Sequence, residues 1–226
     1  MRPDRSRSHP ALQLGWWAGC AATVLMAAWG VQQVRAASAA PEGPPPLVAV
    51  APSPSPSPSA RQLRAVLGRR PAALDRSAPT KIVIPSINLR AGLDTVGLLP
   101  DGTIETPPYE RAHRAAWYRL GPAPGERGAA VLVGHVDSKK AVAVFWYLTR
   151  IVPGDEIQVS REDGRTALFT VTSIEEFPKA AFPTDRVYAD SDAPLLRLVT
   201  CGGKWDPIRA DYPSNIVVFA TLTGVA

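Results

Sequence analysis

Pro194-Leu195-Leu196-Arg197-Leu198-Val199-Thr200-Cys201-Gly202-Gly203 is an apolar, β-rich run of strand length that stops at a cysteine followed by two glycines. A strand end is a rigid platform, and glycine lets other backbone or a ligand come close to the sulfur. A free cysteine is often only a small core hydrophobe. Two further features decide whether this one is more: where the chain places it, and what else ends a strand nearby.

Outward from that run, the sequence alternates short strands with turns. Lys81-Ile82-Val83-Ile84-Pro85 is a β-type run closed by proline, and Leu89 to Leu98 continues with Gly92 and Gly97 as punctuation. Ala129-Ala130-Val131-Leu132-Val133-Gly134-His135 is a second buried-looking strand, ending in histidine. Val142 to Ile151 has apolar residues at roughly helical spacing and halts at Pro153-Gly154-Asp155. Glu156 to Arg161 and Thr166 to Ile174 flank an Asp163-Gly164 turn and predict a hairpin. Ile216 to Leu222 closes the chain. Many short strands with one or two short helices predict a mainly β fold, a closed or nearly closed barrel.

The front of the chain is different in kind. Residues Ala11 to Val31 carry no charge and are long enough to cross a bilayer as a helix. Arg2, Arg5 and Arg7 precede them, so the positive-inside bias holds the N-terminus in the cytoplasm. The small residues Ala36 to Ala40 offer a signal-peptidase alternative, but the apolar core is long for a cleaved signal. From Ala36 to Pro79 the composition is Ala, Pro and Ser, that of a spacer unable to bury a core. The expected organisation is a basic cytoplasmic tail at 1–10, a transmembrane signal-anchor at 11–34, a disordered linker at 35–79 and a catalytic domain at 80–226.

Charge and cysteine content then narrow the function. Nine arginines against three acidic residues give 1–79 a charge of +6, leaving −1 for the rest of a chain whose total is +5. A near-neutral domain excludes a nucleic-acid face, and no nucleic-acid partner is expected. Of two cysteines, Cys20 falls in the apolar segment, so Cys201 is alone in the exported part. Exported domains usually pair their cysteines, and a lone one signals an intermolecular bridge or a reactive thiol.

Chemistry needs a base beside that thiol, because an unperturbed thiol is mostly protonated at neutral pH. Of the three histidines, His9 lies before the anchor, leaving His135 with His113 as its rival. The histidine would also protonate a leaving amine, and an oxyanion would need a donor or a positive charge. Arg209 in the loop 202–214 is the first candidate for that charge, and Arg197, of the same strand parity as Cys201, the second. A site of His135, Asp137 and Cys201 is short of a ligand for a metal, and no cofactor is expected. Glu162-Asp163 and Glu175-Glu176 read as solvated turns rather than calcium ligands.

From about Lys81 to Leu222 the chain resembles the sortases, most closely those of class E/F type. The resemblance is carried by Ile84-Pro85-Ser86-Ile87, Thr106-Pro107-Pro108, Ala116-Trp117-Tyr118, Gly134-His135-Val136-Asp137-Ser138 and Leu198-Val199-Thr200-Cys201-Gly202-Gly203, in that order. It implies an eight-stranded barrel, His135 as acid/base and Cys201 as nucleophile. It also implies cleavage of a Leu-Pro-x-Thr-Gly-like sorting signal on surface proteins through a thioester, and transfer of the acyl group to an amine of the cell wall or pilin. Thr200 matches the residue that shapes the family's pocket. The segment Glu175 to Pro194 corresponds to a loop that cradles the signal, with Ala180, Ala181, Phe182 and Val187 as an apolar wall. One departure stands out: where many sortases carry an arginine before the last strand, this chain has Pro213-Ser214-Asn215. A catalytically silent wall-binding module, or an endopeptidase that resolves the thioester with water, is the alternative reading.

Overall fold

The computed structural model describes residues 71–138 and 141–226. The tail, the apolar segment and the expected linker up to residue 70 lie outside the described residues. Among the described residues, no helix is long and apolar enough to cross a membrane.

Eight strands close into a barrel: β1 (Pro79–Ile84), β2 (Leu89–Val96), β3 (Ala115–Tyr118), β4 (Gly128–Val133), β5 (Glu156–Arg161), β6 (Thr166–Pro178), β7 (Pro194–Gly202) and β8 (Ser214–Val225). Their order around the wall is β1-β2-β3-β4-β7-β8-β6-β5, with β5 pairing back onto β1. Closure leaves no long unpaired edge. The only α-helix among the described residues is the single turn α1 (Thr184–Val187).

Period-two alternation explains the interior. In β5 the residues Ile157 and Val159 are fully buried while Gln158 and Ser160 are not, and in β7 Leu196 and Leu198 point to the same core. Phe145, Leu148, Phe169 and Ile82 fill the centre. The turn from β1 to β2 places Pro85 at the start of a 3-10 turn and Asn88 in the left-handed region (φ 52°), which asparagine tolerates better than most residues.

Three expectations change. The stretch Val142–Ile151 is a succession of turns ending in a 3-10 turn at Leu148–Arg150, not an α-helix. Its fully buried residues Phe145, Leu148 and Ile151 recur every third position, and Leu148 N–H donates to Phe145 O (3.0 Å) and Ile151 N–H to Leu148 O (3.2 Å). That is the three-per-turn geometry. Strand β6 runs on to Pro178, because it pairs with β8 as far as Pro178↔Ser214, so Glu175 to Pro178 belong to the wall and not to a loop. Residues 74–78, assigned by composition to the linker, lie against the barrel. Leu74 N–H donates to Gly125 O (2.8 Å), and Arg76 covers the Trp117 ring at 5.1 Å. The buried Arg161 guanidinium donates to the carbonyls of Asp75 and Pro124 and pairs with Asp163 (2.9 Å), fastening this segment to β5.

The pairing that matters for function is between β4 and β7. It is parallel, in register from Gly128↔Pro194 to Val133↔Val199, and prolonged by Gly134 N–H donating to Val199 O (3.2 Å). Both strands therefore run toward the same mouth of the barrel.

Candidate active site

His135 follows Val133 by two residues, and Cys201 follows Val199 by two. The parallel register thus delivers histidine and cysteine to the same end of adjacent strands, with Cys201 on the face of Val199. That face is the outer one, since the even residues Leu196 and Leu198 take the core. The glycines beside them are required for close packing. A Cβ on Gly134 would lie 2.6 Å from Phe145 Cδ2, and one on Gly202 would lie 2.4 Å from Ile216 Cγ1.

The histidine is held from three directions. Its carbonyl accepts from Phe145 N–H (3.0 Å), its Nε2 is 2.6 Å from Pro107 O, and its ring stacks on Tyr109 at 4.5 Å and 18°. A carbonyl only accepts, so Nε2 is the donor and carries a proton. No hydrogen bond joins imidazole and thiol in this conformation, so proton exchange between them requires the ring to leave Pro107 or the sulfur to approach Nδ1.

Cys201 is half-buried and unpaired, opposite Asn215 of β8 and packed against Val136, Trp146 and Tyr212. Burial pushes its thiol above the usual range. The carboxylates of Asp211 and Asp137 add to that, and the charge of the Lys179 ammonium opposes it. Tyr212 O–H donates to Asp137 Oδ2, tying the loop after His135 to the loop before β8 directly beneath the sulfur. Desolvation and that carboxylate hold the Tyr212 phenol well above its ordinary value, so it remains a donor.

The two arginine candidates lie elsewhere. Arg209 is on an exposed turn, its side chain 81% accessible, with Nε 3.8 Å from Asp206 Oδ2 as its charged contact. Arg197 is on the Cys201 face of β7 but buried at 6%, stacked at 4.6 Å on Phe219, with Nη1 donating to Leu196 O (3.1 Å) and no partner for Nε. Burial first, then the neighbouring Arg186, lowers it to about 10. Thr200 points inward beside Ile216, and its Oγ1 is buried without a hydrogen-bond partner.

Of the apolar wall, Val187 of α1 is fully buried on the outer face against Val217 and Phe219, with Phe182, Phe177 and Val199 around it. Ala180 and Ala181 are exposed. Arg186 pairs with Glu175 and covers Phe219 at 4.6 Å, pinning this segment over the sheet. His113 lines a separate cavity of about 250 Å3 with Leu89, Val144 and Tyr147, which Cys201 and His135 do not touch.

Sequence reasoning missed Pro107 and Tyr109 as the keepers of the imidazole, and Lys179, Asp211 and Tyr212 as neighbours of the sulfur. Thr106-Pro107-Pro108 was visible as a motif, but its contact spans 28 positions. Lys179 bears no local signal, since it meets Asp211 across 32 positions.

A thiol and an imidazole at one mouth of a closed antiparallel-rich barrel define a cysteine enzyme of the acyl-transfer kind. A sortase-domain family model matches residues 82–223, well over half the chain, and the chain belongs to the sortase family, whose members are cysteine transpeptidases. Similar solved structures include sortase A of Listeria monocytogenes (TM-score 0.50, 16% identity, 67% of this chain and 90% of that one). A lid mutant of sortase A from Corynebacterium diphtheriae (0.52, 19%, 74% and 81%) and a sortase of Actinomyces oris (0.51, 18%, 69% and 87%) are similar in the same way. At these identities the likeness is one of fold. No curated protein matches the sequence significantly.

Proposed function

We propose that this chain is a membrane-tethered transpeptidase that cleaves a Leu-Pro-x-Thr-Gly-like sorting signal on surface proteins and joins the acyl fragment to an amine of the cell wall or of a pilin. The observation that supports the reading is the parallel β4–β7 pair, whose last partners Val133 and Val199 precede His135 and Cys201 by two residues each. The N-terminal apolar segment, preceded by arginines, supplies the anchor and leaves the barrel outside the cell.

The chemistry runs in two halves. The Cys201 thiol gives its proton to the neutral imidazole, and the thiolate attacks the scissile carbonyl. The carbonyl re-forms as the C–N bond breaks, and the imidazolium protonates the departing amine, leaving a thioester. An incoming amine loses a proton to His135, attacks the thioester carbonyl and expels the thiolate. Water at that step makes the protein an endopeptidase instead. Because burial raises the thiol, the imidazole has to remove the proton as attack begins, rather than wait for a standing thiolate.

The test is incubation of the full-length chain with a sorting-signal peptide, with and without a glycine-based amine, and measurement of cleaved and ligated product. Ligated product that disappears in Cys201→Ala and His135→Ala supports the reading. Turnover retained in Cys201→Ala removes it, and cleaved product unaffected by amine makes the enzyme a hydrolase.

A further inference from the structure

We propose that Lys179 is the cationic member of this active site, placed at the sulfur from the end of β6 and held there by Asp211. The inference rests on the reading of Cys201 as nucleophile and adds the residue that answers its charge.

The site needs such a residue. Two carboxylates, Asp137 from the loop after His135 and Asp211 from the loop before β8, face a half-buried thiol, and both disfavour negative charge on it. Thiolate and oxyanion both develop in attack, so some cation has to oppose those acids. The position before β8 offers only Pro213. Arg209 is out in solvent on its own turn. Arg197 is four residues back along β7, roughly 13 Å at ~3.3 Å per residue, and roofed by Phe219.

Lys179 meets the requirement by topology. Registers running Cys201↔Asn215 and Asn215↔Phe177 put β6 level with the sulfur, two strands away on the side opposite β4. Lys179 follows Phe177 by two residues, and its amide donates to Pro213 O (2.9 Å), bending the end of β6 toward the 203–213 loop. Its Nζ is 2.7 and 2.8 Å from the two oxygens of Asp211, and these are the hydrogen bonds of good geometry that it makes. The ammonium is therefore leashed beside the thiol rather than locked onto it, with the third proton free to point at sulfur or at a substrate oxygen. The groups around the sulfur are then Asp137 from the β4 side, Lys179 from β6, and Asp211 and Tyr212 from the loop before β8. Proton transfer comes from one flank and positive charge from the other.

The experiment uses the full-length chain and its Lys179→Met, Lys179→Arg and Arg209→Gln variants. Alkylation of Cys201 by iodoacetamide is followed across pH on its own peptide, because Cys20 also reacts, alongside cleavage of the sorting-signal peptide. Lys179→Met is expected to move alkylation to higher pH and slow it about threefold to tenfold at neutral pH. Its kcat is expected to fall by about ten- to a hundredfold. Lys179→Arg keeps the charge and holds the alkylation profile near that of the wild type. Unchanged alkylation and turnover in Lys179→Met overturn the proposal, as do losses that follow Arg209→Gln instead. A chain that alkylates as expected but cleaves no sorting peptide disproves the proposed substrate while leaving Lys179 in place.

Discussion

The two faces of β7 are built by opposite rules. Toward the barrel, Leu196 and Leu198 are fully buried among aliphatic and aromatic neighbours, and each loses all contact with water. On the outer face, Arg197, Val199 and Cys201 meet Phe219, Val217 and Asn215 of β8, with a buried charge under Phe219 and a sulfur that is only partly covered. One strand thus carries the barrel core on one side and the proposed nucleophile on the other. The lesson is that the same two-residue period separates substitutions that unfold the protein from those that silence it.

The sharpest break in that comparison is Cys201→Ala, expected to abolish ligation while altering unfolding free energy by no more than about 1 kcal/mol in denaturant titration. A large loss of stability would place the sulfur in the core after all. Leu198→Ala, one face away, is expected to cost about 2–5 kcal/mol by the same titration, with activity of the surviving folded fraction largely kept.

Arg197→Met probes a buried cation on the outer face. Removing a charge that burial disfavours, while keeping the stem on Phe219, is expected to be neutral or stabilising by up to about 2 kcal/mol near neutral pH. The sign follows from linkage: a guanidinium lowered to about 10 when folded binds fewer protons than the unfolded chain above that value, so wild-type stability rises with pH there. The variant should lose that rise, which denaturation at increasing alkaline pH would read.

Thr200→Val is the smallest and separates shape from chemistry on the inner face. Replacing a buried hydroxyl that lacks a partner by a methyl is expected to stabilise by about 1 kcal/mol, read as a higher thermal midpoint. A gain in stability with a fall in kcat would mean that the hydroxyl waits for substrate.

For Cys201 itself the linkage has the opposite sign. A thiol raised by burial holds its proton longer when folded, so its contribution is complete below the ordinary thiol range of about 8.5 and is lost as pH climbs through the folded value. The stability gap between wild type and Cys201→Ala should shift accordingly between neutral and alkaline pH.

Much of this was legible in residues alone. Alternation in Glu156–Arg161 gave that strand to the residue, and the runs ending in His135 and Cys201 were visible as strand ends. The apolar pattern of Val142–Ile151 misled, because spacings of three and of three-to-four look alike over ten residues. Strand β3 was met only as the motif Ala116-Trp117-Tyr118, too short at four residues to announce itself. The overlong β6 was hidden because charged Glu175 and Glu176 break the apolar pattern while pairing still continues.

Chain composition and local pattern by themselves determined that this is a mainly β protein with a cysteine and a histidine each closing an apolar, strand-length run. Those properties depend on neighbours in sequence, and hydrophobic period and turn residues record them. Only tertiary structure decided that β4 and β7 run parallel, that Pro107 and Tyr109 hold the imidazole, and that Lys179 rather than an arginine stands beside the sulfur. Each of these is set by strand register across 22 to 66 positions, where closure of the barrel and not local preference chooses the partner.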